Sequence, residues 1–316
     1  MNSDMEHGKD KPLLAIRCVT YNHEPYIRDC LEGFVMQKTN FKFVAIVHDD
    51  ASTDNTAIIV KEYAERYPDI IKPILQKENQ HSKGPGTIGK ILNEAIDNTE
   101  AKYVALCEGD DYWIDPYKLQ KQVDFMEANP DYSLCFTNTK VMSSERESIA
   151  IKNIWDTYLI EDLINNNALN SKERGDLIVS CGHTSTLLYR KPIQKAPVWI
   201  SQCFIGDEPL FIYLAQFGKA KFINEMTSLY RAGVGISSRN FDFVRDWKNR
   251  IEMYRIINNG LNYKYANLIN PIIAEFNYKI SKLLWKNGKM IKSFVYLYKS
   301  ITSDTKIIFK KIKRKQ

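Results

Sequence analysis

Three apolar runs in the first third of the chain each break off on polar or acidic residues, and this repeated ending restricts the available folds more than any other feature. The run from Leu13 to Thr20 stops at Tyr21-Asn22, that from Phe43 to His48 at Asp49-Asp50, and that from Tyr103 to Cys107 at Glu108-Gly-Asp-Asp111. Short apolar runs of this kind read as buried strands. Between the first two, Ile27, Leu31, Phe34 and Val35 recur at helical spacing, Ser52-Thr-Asp54 can cap a helix over about 55–66, and 87–97 reads as another helix. Residues 70–75 form a further strand candidate. Such alternation predicts an α/β fold, a largely parallel sheet with right-handed crossovers and helices on its faces, whose ligands bind beyond the carboxyl ends of the strands. Tyr21, Asp49 and the acids of 108–111 are thereby carried to one edge.

Further along, Pro116 opens a helix over 116–128, Ser133 to Phe136 and Thr186 to Tyr189 read as strands, and a helix near 208–217 ends at Gly218 before a strand at 220–223. Residues 143–180 are polar and irregular by comparison. From about 241 the chain reads as helical, so a domain over 1–240 and a helical, basic extension over 241–316 are expected. With 316 residues and 44% hydrophobic content the chain has ample core material. No run approaches the roughly 18–20 apolar residues of a membrane span, and Met1 to Lys11 lacks the apolar stretch of a signal peptide, so a cytoplasmic location is expected. The six cysteines are widely spaced with no C-x-x-C pair and read as reduced core residues.

Charge is unevenly spread. Residues 251–316 hold 14 Lys and Arg against 3 Asp and Glu, a net +11 in a chain whose total is +6. The end of this segment, 301–316, mixes apolar and cationic residues, which suits either contact with an anionic membrane surface or a solvated basic terminus. Nucleic-acid binding is not expected, because the segment matches no recognised module.

Gly84-Pro-Gly86-Thr-Ile-Gly89-Lys90 matches the spacing of a dinucleotide fingerprint and most of a phosphate-binding loop. Ile91 stands where such a loop needs Ser or Thr for magnesium, and a polar stretch precedes the glycines where a first strand should. The segment reads as a glycine loop before a helix. The five histidines show no paired metal spacing, and no G-x-S-x-G elbow is present, which leaves zinc hydrolase and serine hydrolase chemistry unsupported.

Adjacent carboxylates such as those of Glu108-Gly109-Asp110-Asp111 raise one another's pKa unless a cation neutralises them. A hard divalent ion is the natural partner, since Mg²⁺ or Mn²⁺ binds through one or two carboxylates together with phosphate oxygens. Read alone, the cluster also suits a solvated turn.

The motifs in order, Val19-Thr-Tyr-Asn22, Val47-His-Asp-Asp-Ala-Ser-Thr-Asp54, Glu108-Gly-Asp-Asp-Tyr-Trp113, Gly206-Asp-Glu-Pro-Leu210, Tyr230-Arg231 and Gly235-Ile-Ser237, resemble glycosyltransferase family 2 of the GT-A fold over about 13–238. The resemblance implies an inverting transferase that uses a nucleotide-diphosphate sugar, chiefly a UDP-sugar, and acts on a cell-surface glycan or lipid-linked acceptor, peripheral to the cytoplasmic membrane face. It implies that Val19 and Tyr21 line the uracil pocket, that Glu24 lies beside the nucleotide, and that Asp49 accepts from the base N–H. Glu108 would sit on the ribose or metal side, Asp110 would ligate Mn²⁺ or Mg²⁺, and Asp207 would be the general base, with Glu208 as its reserve. The chain departs from the family in starting its acidic triplet with Glu and in reading Ala232-Gly233-Val234 where relatives carry a His. His183 reads as structural, whereas Tyr112 and Trp113 suit either packing or a sugar face. The alternatives are a non-catalytic glycan-binding or scaffold subunit of the same fold and a sugar-1-phosphate nucleotidyltransferase. The latter normally opens on a glycine-rich phosphate loop where this chain has Thr20-Tyr-Asn22.

Overall fold

The computed structural model describes residues 11–142, 147–149, 157–168, 182–192, 196–234 and 242–305. Gly235-Ile-Ser237, Cys181 and the basic stretch from 306 onward lie outside the described residues. In chain order the elements are β1 (Leu14–Thr20), α1 (Ile27–Val35), β2 (Phe43–Asp49), α2 (Thr56–Arg66), β3 (Ile71–Leu75), α3 (Thr87–Asn98) and β4 (Tyr103–Leu106). Then come β5 (Tyr112–Trp113), α4 (Lys118–Ala128), β6 (Tyr132–Met142), β7 (Glu147–Ile149), β8 (Thr157–Tyr158), α5 (Ile160–Ala168) and β9 (Leu187–Arg190). The remainder is α6 (Val198–Ser201), α7 (Asp207–Leu214), β10 (Lys219–Arg231), α8 (Phe243–Gly260), α9 (Ala266–Lys286) and α10 (Met290–Ser303).

The strands form one sheet in the order β3-β2-β1-β4-β9-β6-β10-β5, with β7 on β6 and β8 on β10. From β3 to β4 every pairing is parallel, as the alternation of strands and helices requires. Beyond β4 the sheet is mixed, which refines the expectation of a largely parallel one. β9 lies antiparallel between β4 and β6, while β6 and β10 pair parallel. The pairing of β9 joins strands some eighty residues apart in sequence, beyond the reach of local periodicity. Pro73, which cannot donate to a ladder, sits on the edge strand β3, where that loss is tolerated.

Two compact units emerge. The first comprises Met1–Lys195 and Phe211–Ser238, the second Ala196–Leu210 and Arg239–Gln316. In the first, α1 buries Ile27, Cys30, Leu31 and Phe34 against Leu14, Ile16 and Cys18 of β1, each such large side chain contributing about 1.5–3 kcal/mol. Gly33 permits the closest approach, since a Cβ there would fall 2.9 Å from the backbone N of Trp113. Trp113 is itself buried, edge-on to Phe34 with ring centroids 5.0 Å apart, and its Nε1 donates to Ser185 O at 2.8 Å. It is a packing residue and offers no face to a sugar. Cys18, Cys30, Cys107, Cys135 and Cys203 are free thiols and buried.

In the second unit Asp242 caps α8 by accepting from Val244 N at 2.9 Å, Tyr254 of α8 stacks on Phe276 of α9, and serines let α10 approach α9 closely. No helix among the described residues is long and apolar enough to cross a membrane.

Candidate active site

The end of β1 turns sharply at Asn22, whose φ of 53° is left-handed, a conformation asparagine tolerates better than most residues. Its side chain holds the facing loop, accepting from Thr53 N at 2.8 Å, while Asn22 N donates to Ser52 Oγ at 2.9 Å. His23 N and Glu24 N donate to Thr56 Oγ1 and Asp54 Oδ2. Burial opposes the charge on Asp54, yet hydrogen bonds from Thr56 and Glu24 hold its carboxyl below the usual range. The carboxylate of Glu24 accepts from Asn55 N and Nδ2, so it serves the start of α2. Tyr21 is exposed and Val19 half-buried.

Asp49, at the end of β2, is buried, and both its oxygens accept from Ser52, one from N at 3.1 Å and the other from Oγ. Each carboxylate oxygen keeps a further lone pair. Asp50 turns to the other side. Its Oδ1 accepts from Gln80 N at 2.7 Å and its Oδ2 from His81 N at 3.1 Å, which tethers the segment running into the glycine loop and α3. Gly84 and Gly86 there take φ values of 128° and 80°.

Past β4, Cys107 N and Gly109 N donate to Arg17 O and Val19 O, so the acidic turn continues along β1. Gly109 is required at this point. A Cβ would meet Thr20 Cβ and Oγ1 at 2.7 Å and His23 Nδ1 at 3.0 Å. Thr20 Oγ1 and His23 Nδ1 are buried without a hydrogen-bond partner. Asp110 Oδ2 lies 4.0 Å from His23 Nε2, with its side chain 13% exposed. Burial lowers the His23 imidazole below its ordinary value against the pull of Asp110, which leaves it neutral near pH 7 and able to act as a ligand.

Asp111 is buried and pushed well above the carboxylate range, by desolvation first and by Asp110 next. Arg231, at the end of β10, supports the whole turn. Its backbone N donates to Asp111 Oδ1 at 3.0 Å, its guanidinium to Asp110 O at 2.7 Å and to Asp29, and it stacks over Tyr26 and Tyr112. His183 stacks on Tyr230 with centroids 4.1 Å apart and has Nδ1 3.6 Å from Asp111 Oδ2. Sequence reasoning assigned no role to His23 or Arg231, although the place of His23, directly after the Thr-Tyr-Asn turn at a strand end, was a usable signal.

Among the described residues no three His, Cys, Asp or Glu side chains converge as a metal cluster. The donor set still suits a hard divalent ion, which needs only one or two protein ligands beside phosphate oxygens. Asp110 and His23 supply these, beside the buried and unpartnered Thr20 Oγ1.

Val19, Tyr21, Glu24, Asp49, Glu108 and Asp110 thus lie in the first unit, at or just beyond the carboxyl ends of β1, β2 and β4. Asp207 belongs to the second unit. It is half-buried at the start of α7, and its Oδ1 accepts from Glu208 N at 2.8 Å. The carboxylate of Glu208 is bound to Arg250 at 3.2 Å and to the Tyr254 hydroxyl, and burial raises its pKa to about 7.

The family model for "Glycosyl transferase family 2" matches residues 17–196, more than half of the chain. The chain belongs to glycosyltransferase family 2, and its fold is GT-A. An uncharacterised protein of Mycobacterium tuberculosis (strain ATCC 25618 / H37Rv) is 43% identical over 131 residues, 41% of this chain and 36% of that protein. The chain therefore spans just over a third of the length of this relative. Among solved structures, S. aureus TarS 1–349 in complex with UDP-GlcNAc superposes with a TM-score of 0.57 at 18% identity, covering 92% of this chain and 81% of that one. The mannosyltransferase PcManGT of Pyrobaculum calidifontis, in complex with GDP-Man and Mn²⁺, gives 0.51 at 15% identity, covering 95% and 88%.

Proposed function

We propose that the chain is an inverting glycosyltransferase that moves a sugar from a UDP-sugar to a hydroxyl of a cell-surface glycan or lipid-linked acceptor. The observation that carries this reading is the tightly packed turn at Gly109, where Thr20 Oγ1 and His23 Nδ1 are buried without a hydrogen-bond partner beside Asp110. The bound nucleotides of the TarS and PcManGT structures support a nucleotide-sugar donor.

In this reading Val19, Tyr21 and Asp49 receive the base, the remaining lone pairs of Asp49 accepting from its N–H, while Glu108 faces the ribose. Asp110 and His23 would hold Mn²⁺ or Mg²⁺, which when bound offsets the charge of the diphosphate leaving group. Asp207 takes the proton of the acceptor hydroxyl as that oxygen attacks the anomeric carbon from the side opposite the diphosphate, which inverts the centre. Arg231 holds Asp110 and Asp111 in place through its bonds to Asp110 O and Asp111 Oδ1. The division into a transferase domain over 1–240 and a basic extension over 241–316, a location at the cytoplasmic membrane face, and contact of 301–316 with anionic lipid belong to the same proposal.

The test separates the two neighbouring acids of α7. Asp207→Asn is expected to lower kcat by about a hundredfold or more with UDP affinity unchanged, the scale of a lost general base. Glu208→Gln should keep transfer and instead lower stability by about 1–3 kcal/mol, because it weakens a buried charged contact to Arg250. Full activity in Asp207→Asn would remove that residue from its role.

A further inference from the structure

Helix α10 has one side on α9 and an apolar side that is exposed. One side packs on α9, where Ser293 Oγ donates to Ser281 O at 2.9 Å and Ser300 Oγ to Ala274 O at 2.8 Å. The helical repeat places Ile291, Phe294, Val295 and Tyr298 on the other side, where they are 83%, 57%, 47% and 68% exposed. Trp285 at the end of α9, 54% exposed, stands edge-on to Phe294 with centroids 5.7 Å apart and extends the patch. A contiguous exposed apolar patch marks an interaction surface.

The charge around the patch identifies what covers it. Lys282, Lys286, Lys289, Lys292 and Lys299 are all exposed, and residues 282–316 carry 11 Lys and Arg with Asp304 as their one acid. A second copy would bring two such cationic faces together, an arrangement that like-charge repulsion opposes. An anionic bilayer surface meets both demands, with hydrocarbon for the aliphatic side chains and negative headgroups for the lysines, and with Trp and Tyr at the depth they favour. The cleft of about 370 Å³ beside Trp285, Phe294 and Leu297 makes the surface uneven, which a fluid layer fills and a rigid partner would have to match.

We propose that the outer face of α10, together with Trp285, lies in the headgroup layer of an anionic membrane. This assigns the attachment to a folded helix face and gives the stretch beyond 306 a supporting electrostatic part. It stands independently of the reading of the donor site.

The test is co-sedimentation of the full chain with vesicles of phosphatidylcholine alone and with about a third phosphatidylglycerol. Binding is expected to the anionic vesicles only, with a blue shift in tryptophan fluorescence that Trp285→Phe removes. Ile291→Glu with Phe294→Glu should weaken binding at least about tenfold, while replacing Lys310, Lys311, Lys313, Arg314 and Lys315 with Gln should weaken it less. Far-ultraviolet circular dichroism and the thermal midpoint are unchanged in every variant, which confirms folding, and vesicle binding is the same whether or not UDP binds, which separates this claim from the proposed function. Unaltered vesicle binding in the double variant, complete loss in the tail variant, or a wild-type dimer that the double variant dissolves would each overturn the proposal.

Discussion

Lys118 shows how far packing overrides the ordinary chemistry of a residue. It is wholly buried at the start of α4, with Nζ on Gln122 Oε1 and 4.5 Å from the ring centroid of Trp113, and burial lowers its pKa to about 8. The unfolded chain binds more protons than the native one between about 8 and the ordinary value of 10.5. Stability linked to this group is therefore greatest above that window and is lost as the pH falls through about 8. Lys118→Met is expected to raise stability by about 3 kcal/mol at pH 7, with the gain vanishing near pH 11, when the two proteins are compared by urea unfolding. A difference that does not change with pH would contradict the shift. At this scale the sequence was legible in position, placing Asp49 at the end of β2 and Asp110 just past β4. It was not legible where a role depends on neighbours distant in the chain. His23 meets Asp110, and Arg231 meets Asp29 and Asp111, only because β1, β4 and β10 end near one another.

Among the elements, β1, β2 and β4 were readable because each is an apolar run with an abrupt polar end. β10 was not: only 220–223 stands out, whereas the strand covers Lys219–Arg231. Its second half carries Thr227 and Ser228, polar in sequence yet buried, because Thr227 bonds Thr137 and Ser228 accepts from Ser185 across the sheet. The segment running into the glycine loop is anchored by Asp50, whose carboxylate accepts two backbone N–H groups. Asp50→Ala leaves those donors unpaired and is expected to cost about 2–4 kcal/mol, with faster amide exchange at Gln80 and His81. Unchanged protection at those two amides would show that the loop is held otherwise.

For the whole molecule, the parallel half of the sheet has a consequence of its own. β1, β2 and β4 point the same way, so their polar ends meet, and three segments far apart in sequence, around 19–24, 49 and 108–110, come to one edge. The mixed half supplies Arg231 and His183 to the acidic turn. The central claim is that this edge binds a nucleoside diphosphate through a divalent ion at Asp110. The most direct test is calorimetric titration of the full chain with UDP, GDP and CDP, each with and without Mn²⁺, beside Asp110→Ala. Mn²⁺-dependent binding of UDP in preference to the others, weakened at least about tenfold in the variant, is the expected result. Binding that needs no metal, or that Asp110→Ala leaves intact, would contradict it.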